Sequence, residues 1–267
     1  MEKDMSNIFT KIADLARTIT GQPTKPPKTA AIILAAGSST RMDSDTPKQL
    51  IKLLDKPVMI HSLLAFEKSE YISDIILVTP DGCERDYRAL AKSYGISKIS
   101  AVISGGETRA KSAFKGFKKV SSDVKFVAIH DAARCLVTPE IIDRVCASAI
   151  KYNAATAATR CTDTVKISGK NKFVDHTENR DHVWLAQTPQ VFNCDLYRAA
   201  SYIAAEASLS PTDDNFLIEN VNHKVKLVEC GKYNIKITTP EDLIIAGAIL
   251  NARQTFPSSL PEDTDEE

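Results

Sequence analysis

The chain has 267 residues, 43% hydrophobic and 25% charged, which is the composition of a soluble globular protein long enough to bury a sizeable core. Lys and Arg number 34 and Asp and Glu 34, so no general field favours nucleic acid or an anionic membrane, and any anion must be recognised by local clusters. The six cysteines have no CxxC spacing, which argues against a zinc site or disulfide framework, and no apolar run approaches a signal peptide or a membrane span; cytoplasmic residence is expected.

Residues 1–28 read as an extension. Ile8, Ile12, Leu15 and Ile19 recur at near-helical spacing, and the stretch from Gly21 to Lys28, rich in Pro and Lys, reads as a linker. A mostly disordered leader is the alternative. From Thr29 onward apolar runs alternate with helical stretches. Strands are predicted at Ala31–Leu34, Ile75–Val78, Ile99–Ile103, Phe126–Ile129 and Ala155–Ala158. Helices are predicted at Val58–Lys68, Tyr87–Tyr94, Ala110–Val120, Pro139–Lys151 and Leu196–Ala207. This alternation predicts an α/β fold of Rossmann-like form, a mainly parallel sheet with helices on both faces and ligands beyond the carboxyl ends of its strands. The domain is expected to span 29–253, with 254–267 a solvated acidic tail.

The organising stretch is AIILAAGSSTRMDSDTPK, Ala31 to Lys48. Ala35, Ala36 and Gly37 follow the first strand with almost no side chain, and Ser38 and Ser39 lead to Arg41. Small residues after a strand let backbone amides surround an anion, and Arg41 and Lys48 supply cations to close over it. No GxxxxGK[ST] and no full GxGxxG is present, which speaks against a P-loop or a normal dinucleotide fingerprint.

Later clusters fall at the ends of predicted strands. Gly105 and Gly106, with Glu107, Thr108 and Arg109, form a glycine turn entering a helix that carries Ser112. Phe126–Ile129 runs into His130, Asp131, Ala132, Ala133 and Arg134. A carboxylate at that point needs a cation, a metal or substrate hydroxyls, and an internal pair with Arg134 is the plain alternative. Residues 162–182 alternate, turn at Ser168-Gly169 and hold little core material, which predicts a hairpin arm that would be stabilised by a second subunit. Val183–Phe192 brings the chain back, with a bend at Thr188-Pro189. Tyr233–Thr239 reads as a strand with Ile235 and Ile237 on one face and Lys236 on the other, where an edge lysine is the bland explanation.

Taken in order, LAAGSSTRM, PKQ, GGETRAKS, HDAAR, DTVK, AQTPQ, TDD and NIKITTPEDL resemble the 2-C-methyl-D-erythritol 4-phosphate cytidylyltransferase family over Thr29 to about Arg253. Ribitol 5-phosphate cytidylyltransferases look similar over the same span. The resemblance implies transfer of CMP from CTP to a polyol phosphate with release of pyrophosphate, assisted by Mg²⁺. It places the nucleotide on Ala35–Ser39, Gly105, Gly106, Arg109 and Ser112. The catalytic cations become Arg41, Lys48, Arg180 and Lys236, and the acceptor pocket Asp131, Arg134, Thr164, Arg180, Thr188 and Lys236. Asp131 is also the candidate metal ligand. In the family the residue matching Arg180 reaches the neighbouring subunit's site, which implies a homodimer. Three departures stand out: Ser39 replaces the usual second glycine, Cys135 replaces a proline and is expected to loosen its loop, and Asp214-Asn215-Phe216 replaces Glu-Ala-Ser. The competing readings are a ribitol-phosphate enzyme, a catalytically silent nucleotide-binding or assembly module, and an unrelated Rossmann-type dehydrogenase.

Overall fold

The structure is a computed structural model that describes residues 26–37, 46–207, 209 and 211–255. The predicted leader helix, Ser38, Ser39, Arg41 and residues 256–267 lie outside the described residues, while Gln254 and Thr255, expected to begin the acidic tail, end the helix Pro240–Thr255 instead.

A seven-stranded sheet forms the centre. In chain order its strands are β1 (Thr29–Leu34), β4 (Ile72–Thr79), β5 (Ile99–Ser104), β6 (Phe126–Asp131), β7 (Ala154–Arg160), β10 (Trp184–Asn193) and β11 (Lys226–Glu229), arranged β11-β7-β10-β6-β1-β4-β5. The small pair β2 (Lys52–Leu53) and β3 (Lys56–Pro57) and the arm pair β8 (Lys166–Ser168) and β9 (Val174–Thr177) stand apart. All sheet neighbours pair in parallel except β10, which is antiparallel to both β6 and β7.

Alternation along the central strands sorts their side chains onto two faces. Ala31, Ile33, Ile75, Leu77 and Ala128 pack against helices α1 (Val58–Lys68), α2 (Glu84–Ser93) and α4 (Pro139–Tyr152). Ile32, Ile76, Val78, Val127 and Ile129 face α3 (Arg109–Phe117), α5 (Cys194–Glu206) and α6 (Asn215–Asn220). Local chemistry explains the helix ends. Thr138 caps α4 by accepting from the Ile141 amide, Pro139 occupies its first turn, and Asn153 closes it at φ 65°. Gly116 on α3 lies so near β1 that a Cβ there would come within 2.6 Å of Ile32, and its lack of a side chain sets the helix-to-sheet distance.

Two expectations change. Tyr233–Thr239 joins no ladder. The Asn234 amide donates to Gln187 Oε1 and Thr188 O, each at 2.9 Å, and the Ile237 amide donates to Ala133 O at 2.8 Å, so side-chain bonds and one backbone bond pin the segment across the end of β6. The edge position goes to β11 instead. The alternation itself survives: Ile235 and Ile237 enter a third apolar cluster, with Lys236 opposite. Cys135 does not loosen its loop either. It is buried in that cluster with Leu136, Ala133 and Ala246 of α7 (Pro240–Thr255).

Candidate active site

The connection after β1 runs to β4 on one side of the sheet, and β6 lies on β1's other side, so a switch point opens between β1 and β6 at their carboxyl ends. A cleft of about 380 Å³ sits there, within the size range of small-molecule sites. One wall is the backbone of Leu34–Gly37. Gly106–Arg109 and Ser112, which follow β5, form a second, and Asp131–Ala133 form the floor, with Lys48 and Lys236 facing in.

The glycine turn is shaped by contact. Gly105 is wedged so tightly that a Cβ would meet Ala36 Cβ at 2.5 Å and Ser112 Oγ at 3.0 Å. The Gly106 amide donates to Ser112 Oγ at 2.9 Å, and Thr108 caps α3 by accepting from the Lys111 amide. Across the cleft, buried Gln49 donates from Nε2 to Ala35 O at 2.7 Å and to Tyr87 Oη at 3.3 Å. Gln49, the residue after Lys48, is thereby tied to the residue that follows β1.

Asp131 is the electrostatic centre. Arg109 Nε donates to its Oδ1 at 2.9 Å and Lys236 Nζ to its Oδ2 at 2.6 Å. Burial works to raise this carboxyl, but the two cations outweigh it and hold it well below the ordinary carboxylate range. The expected alternative partner, Arg134, turns away, donating to Asn234 O at 2.8 Å and Ala186 O at 3.4 Å.

His130, buried beside Asp131, is neutral. Desolvation lowers it to about 3, and its partners fix the tautomer. Nε2 lies 3.3 Å from Arg134 O, which can only accept, so Nε2 carries the proton; Nδ1 then accepts from the Thr188 hydroxyl at 3.0 Å. The Asp131 amide donates in turn to Thr188 Oγ1 at 3.2 Å.

The structure therefore brings Ala35, Ala36, Gly37, Lys48, Gly106, Arg109, Ser112, Asp131 and Lys236 to one cleft, with Gly105 packed behind its wall. Thr188 is buried behind the floor, Arg134 braces the neighbouring segment, and Thr164 and Arg180 lie on the arm; none of these four lines the cleft. Arg180 is exposed and donates to Thr162 O at 2.8 Å. Sequence reasoning gave no role to Gln49, Tyr197 or Asp214. The last was singled out only as a departure, although a carboxylate in the apolar surroundings of TDDNFLI signals a buried partner.

The doubly wound sheet, with a cation-lined cleft at its switch point, is the architecture of an α/β nucleotidyltransferase. Residues 29–252 match the family model of 2-C-methyl-D-erythritol 4-phosphate cytidylyltransferase, and the chain belongs to that family. Proteins of that name from Pelotomaculum thermopropionicum and Alkaliphilus oremlandii are 40% and 42% identical over 228 residues, which is 85% of this chain in each case and 96% and 97% of the relatives. A crystal structure of 4-diphosphocytidyl-2C-methyl-D-erythritol synthase from Anaerococcus prevotii superposes with a TM-score of 0.76 at 34% identity, covering 85% of this chain and 97% of that one.

Proposed function

We propose that this enzyme transfers CMP from CTP to 2-C-methyl-D-erythritol 4-phosphate, giving 4-diphosphocytidyl-2-C-methyl-D-erythritol and pyrophosphate, as a cytoplasmic homodimer in non-mevalonate isoprenoid precursor synthesis. The observation that carries the reading is the Lys236–Asp131–Arg109 array on the floor of a cleft walled by bare backbone.

The acceptor's phosphate oxygen attacks the α-phosphorus of CTP, the P–O bond to the β-phosphate breaks, and pyrophosphate leaves with the electron pair. No protein nucleophile is needed, so the protein's work is positioning and charge stabilisation. The Ala35–Gly37 backbone, with Ser38 and Ser39, cradles the triphosphate. Gly105, Gly106, Arg109 and Ser112 hold the nucleoside, since a pyrimidine edge can be read by backbone groups and one hydroxyl where a purine is too large. Arg41 and Lys48 neutralise the charge that builds as two anions are forced together.

Asp131 and Thr164 meet the acceptor's hydroxyls, and Lys236 meets its phosphate. Thr188 and Arg134 act from behind, holding the floor and the Asn234–Lys236 segment. Arg180 reaches the acceptor phosphate in the partner's cleft. Support for that division comes from the arm, whose β8 and β9 are exposed along their length, with Phe173 in the turn before β9 at 74% and Val174 on β9 at 58% exposure. Apolar side chains on a bare two-stranded arm point to a protein surface that covers them.

The donor set fits Mg²⁺ in one form. Among the described residues no group of three or more His, Cys, Asp or Glu side chains converges, whereas Asp131 keeps acceptor capacity beyond its two cation bonds. That suits an ion that takes one carboxylate, substrate phosphates and water. Bound there, it supplies further neutralisation of the triphosphate.

The test is pyrophosphate release by purified protein with CTP and Mg²⁺, comparing methylerythritol 4-phosphate with ribitol 5-phosphate. A clear preference for the former is expected. Preference for ribitol 5-phosphate would move the enzyme to CDP-ribitol synthesis, and silence with both would overturn the reading.

A further inference from the structure

Arg109 is held by more than the cleft. While Nε bonds Asp131, Nη1 donates to Asp214 Oδ2 at 2.5 Å, and the Asp214 side chain is only 1% exposed. Both oxygens and the main-chain amide of Asp214 are engaged: Tyr197 Oη donates to its other oxygen at 2.8 Å, and its amide donates to Gln190 Oε1 at 3.0 Å. Tyr197 is itself immobilised, edge-on to Phe117 at 5.0 Å and stacked on Phe192 at 5.7 Å.

We propose that Asp214 and Tyr197 are positioning residues of the reaction, acting through Arg109 to hold its guanidinium in one plane and Asp131 in one rotamer. The inference rests on the reading of the cleft as the nucleotide site. Two physical points carry it. A buried ion pair is a poor stabiliser, because desolvation offsets its attraction, so packing alone gives little reason to place a carboxylate at Asp214. A planar guanidinium bonded at Nε and Nη1 to two separate carboxylates is fixed in position and in roll, which the single Nε bond to Asp131 does not achieve. Two of its five N–H donors are thereby used among the described residues, and the others are left for a ligand in the cleft that Arg109 lines.

The variants are Asp214→Asn and Tyr197→Phe, each made in the wild-type chain and in Arg109→Gln. Tyr197→Phe keeps the ring packing and deletes only the hydroxyl. With CTP, Mg²⁺ and methylerythritol 4-phosphate, kcat is expected to fall about 10²-fold for Asp214→Asn, which also lowers the thermal midpoint because it leaves the buried Arg109 charge short of a partner, and about 5-fold for Tyr197→Phe, whose ring packing keeps the midpoint near that of the wild type. In the Arg109→Gln background both are expected to lose no more than about twofold further, because the route through Arg109 is already cut. Losses that multiply in full across the two backgrounds would overturn the proposal while leaving the cytidylyltransferase reading intact. An inactive wild type would overturn both. Should Asp214→Asn not fold, Tyr197→Phe decides by the same comparison.

Discussion

The Gln49 side-chain amide donates to the main-chain carbonyl of Ala35 at 2.7 Å, joining the residue after Lys48 to the residue after β1. Both partners are buried, so removing the amide strands a carbonyl away from water. Gln49→Leu is expected to lower unfolding free energy by about 1–3 kcal/mol and to raise KM for CTP more than it lowers kcat. Urea denaturation and initial-rate kinetics on the same preparation check this; an unchanged KM would mean that the loop keeps its shape unaided.

Gly105 has no room for a methyl group. A Cβ would stand 2.5 Å from Ala36 Cβ, at the back of the wall that faces the cleft. Gly105→Ala is expected to cost about 1–3 kcal/mol through overpacking and to weaken CTP binding by pushing Ala36 forward. Calorimetric titration with CTP against the wild type reads the second effect directly.

Lys236→Ala leaves Asp131 with Arg109 as its one bonded cation among the described residues and removes a charge from the floor. Turnover is expected to fall on the order of 10²- to 10³-fold, and Lys48→Ala by a similar factor. Lys236→Arg keeps the charge on a longer, planar group and is expected to recover only part of the rate. Full activity in Lys236→Ala would return this lysine to the status of a surface charge.

His130 makes stability depend on pH. Its folded pKa of about 3 is depressed from 6.5, so between those values the unfolded chain binds a proton that the folded chain does not. Stability from this residue is thus present above about pH 6.5 and drains away as pH falls toward 3, by about 1.4 kcal/mol per pH unit. Denaturation midpoints from pH 7 to 4 are expected to decline more steeply in the wild type than in His130→Gln. Equal slopes would show that other groups carry the acid sensitivity.

Phe173 and Val174 stand exposed on the arm. Charging both, as in F173E with V174E, is expected to give a monomer by analytical ultracentrifugation with its thermal midpoint retained and its turnover lost. A dimer that persists would place the subunit contact elsewhere.

Much of this fold was legible because the parallel strands are continuous apolar runs and their helices carry ordinary caps; Val58–Lys68 is predicted to the residue. What escaped detection was non-local. Nothing in Trp184–Asn193 announces that it enters the sheet between two earlier strands, because the irregularity between Ala186 and Gln190 interrupts its alternation. The cations of the cleft were visible from their loops, yet the partner of Asp131 was not: Arg109 and Lys236 lie 22 and 105 residues away, while the near neighbour Arg134 bonds backbone instead. Asp214 was hidden for the same reason, since its function depends on a tyrosine and an arginine brought in from two other helices.

The arm leaves the sheet from β7 and re-enters in β10, and these are hydrogen-bonded neighbours: Arg160 lies opposite Trp184, and the Cys161 amide donates to Val183 O at 3.0 Å. Entry and exit are therefore clamped side by side. An insertion or deletion between them changes only the length of a closed loop, at a cost that grows slowly with length, and shifts no strand of the seven-stranded sheet in register. The projecting arm can accordingly diversify in size and surface while the chemistry on the far side of the clamp stays as it is.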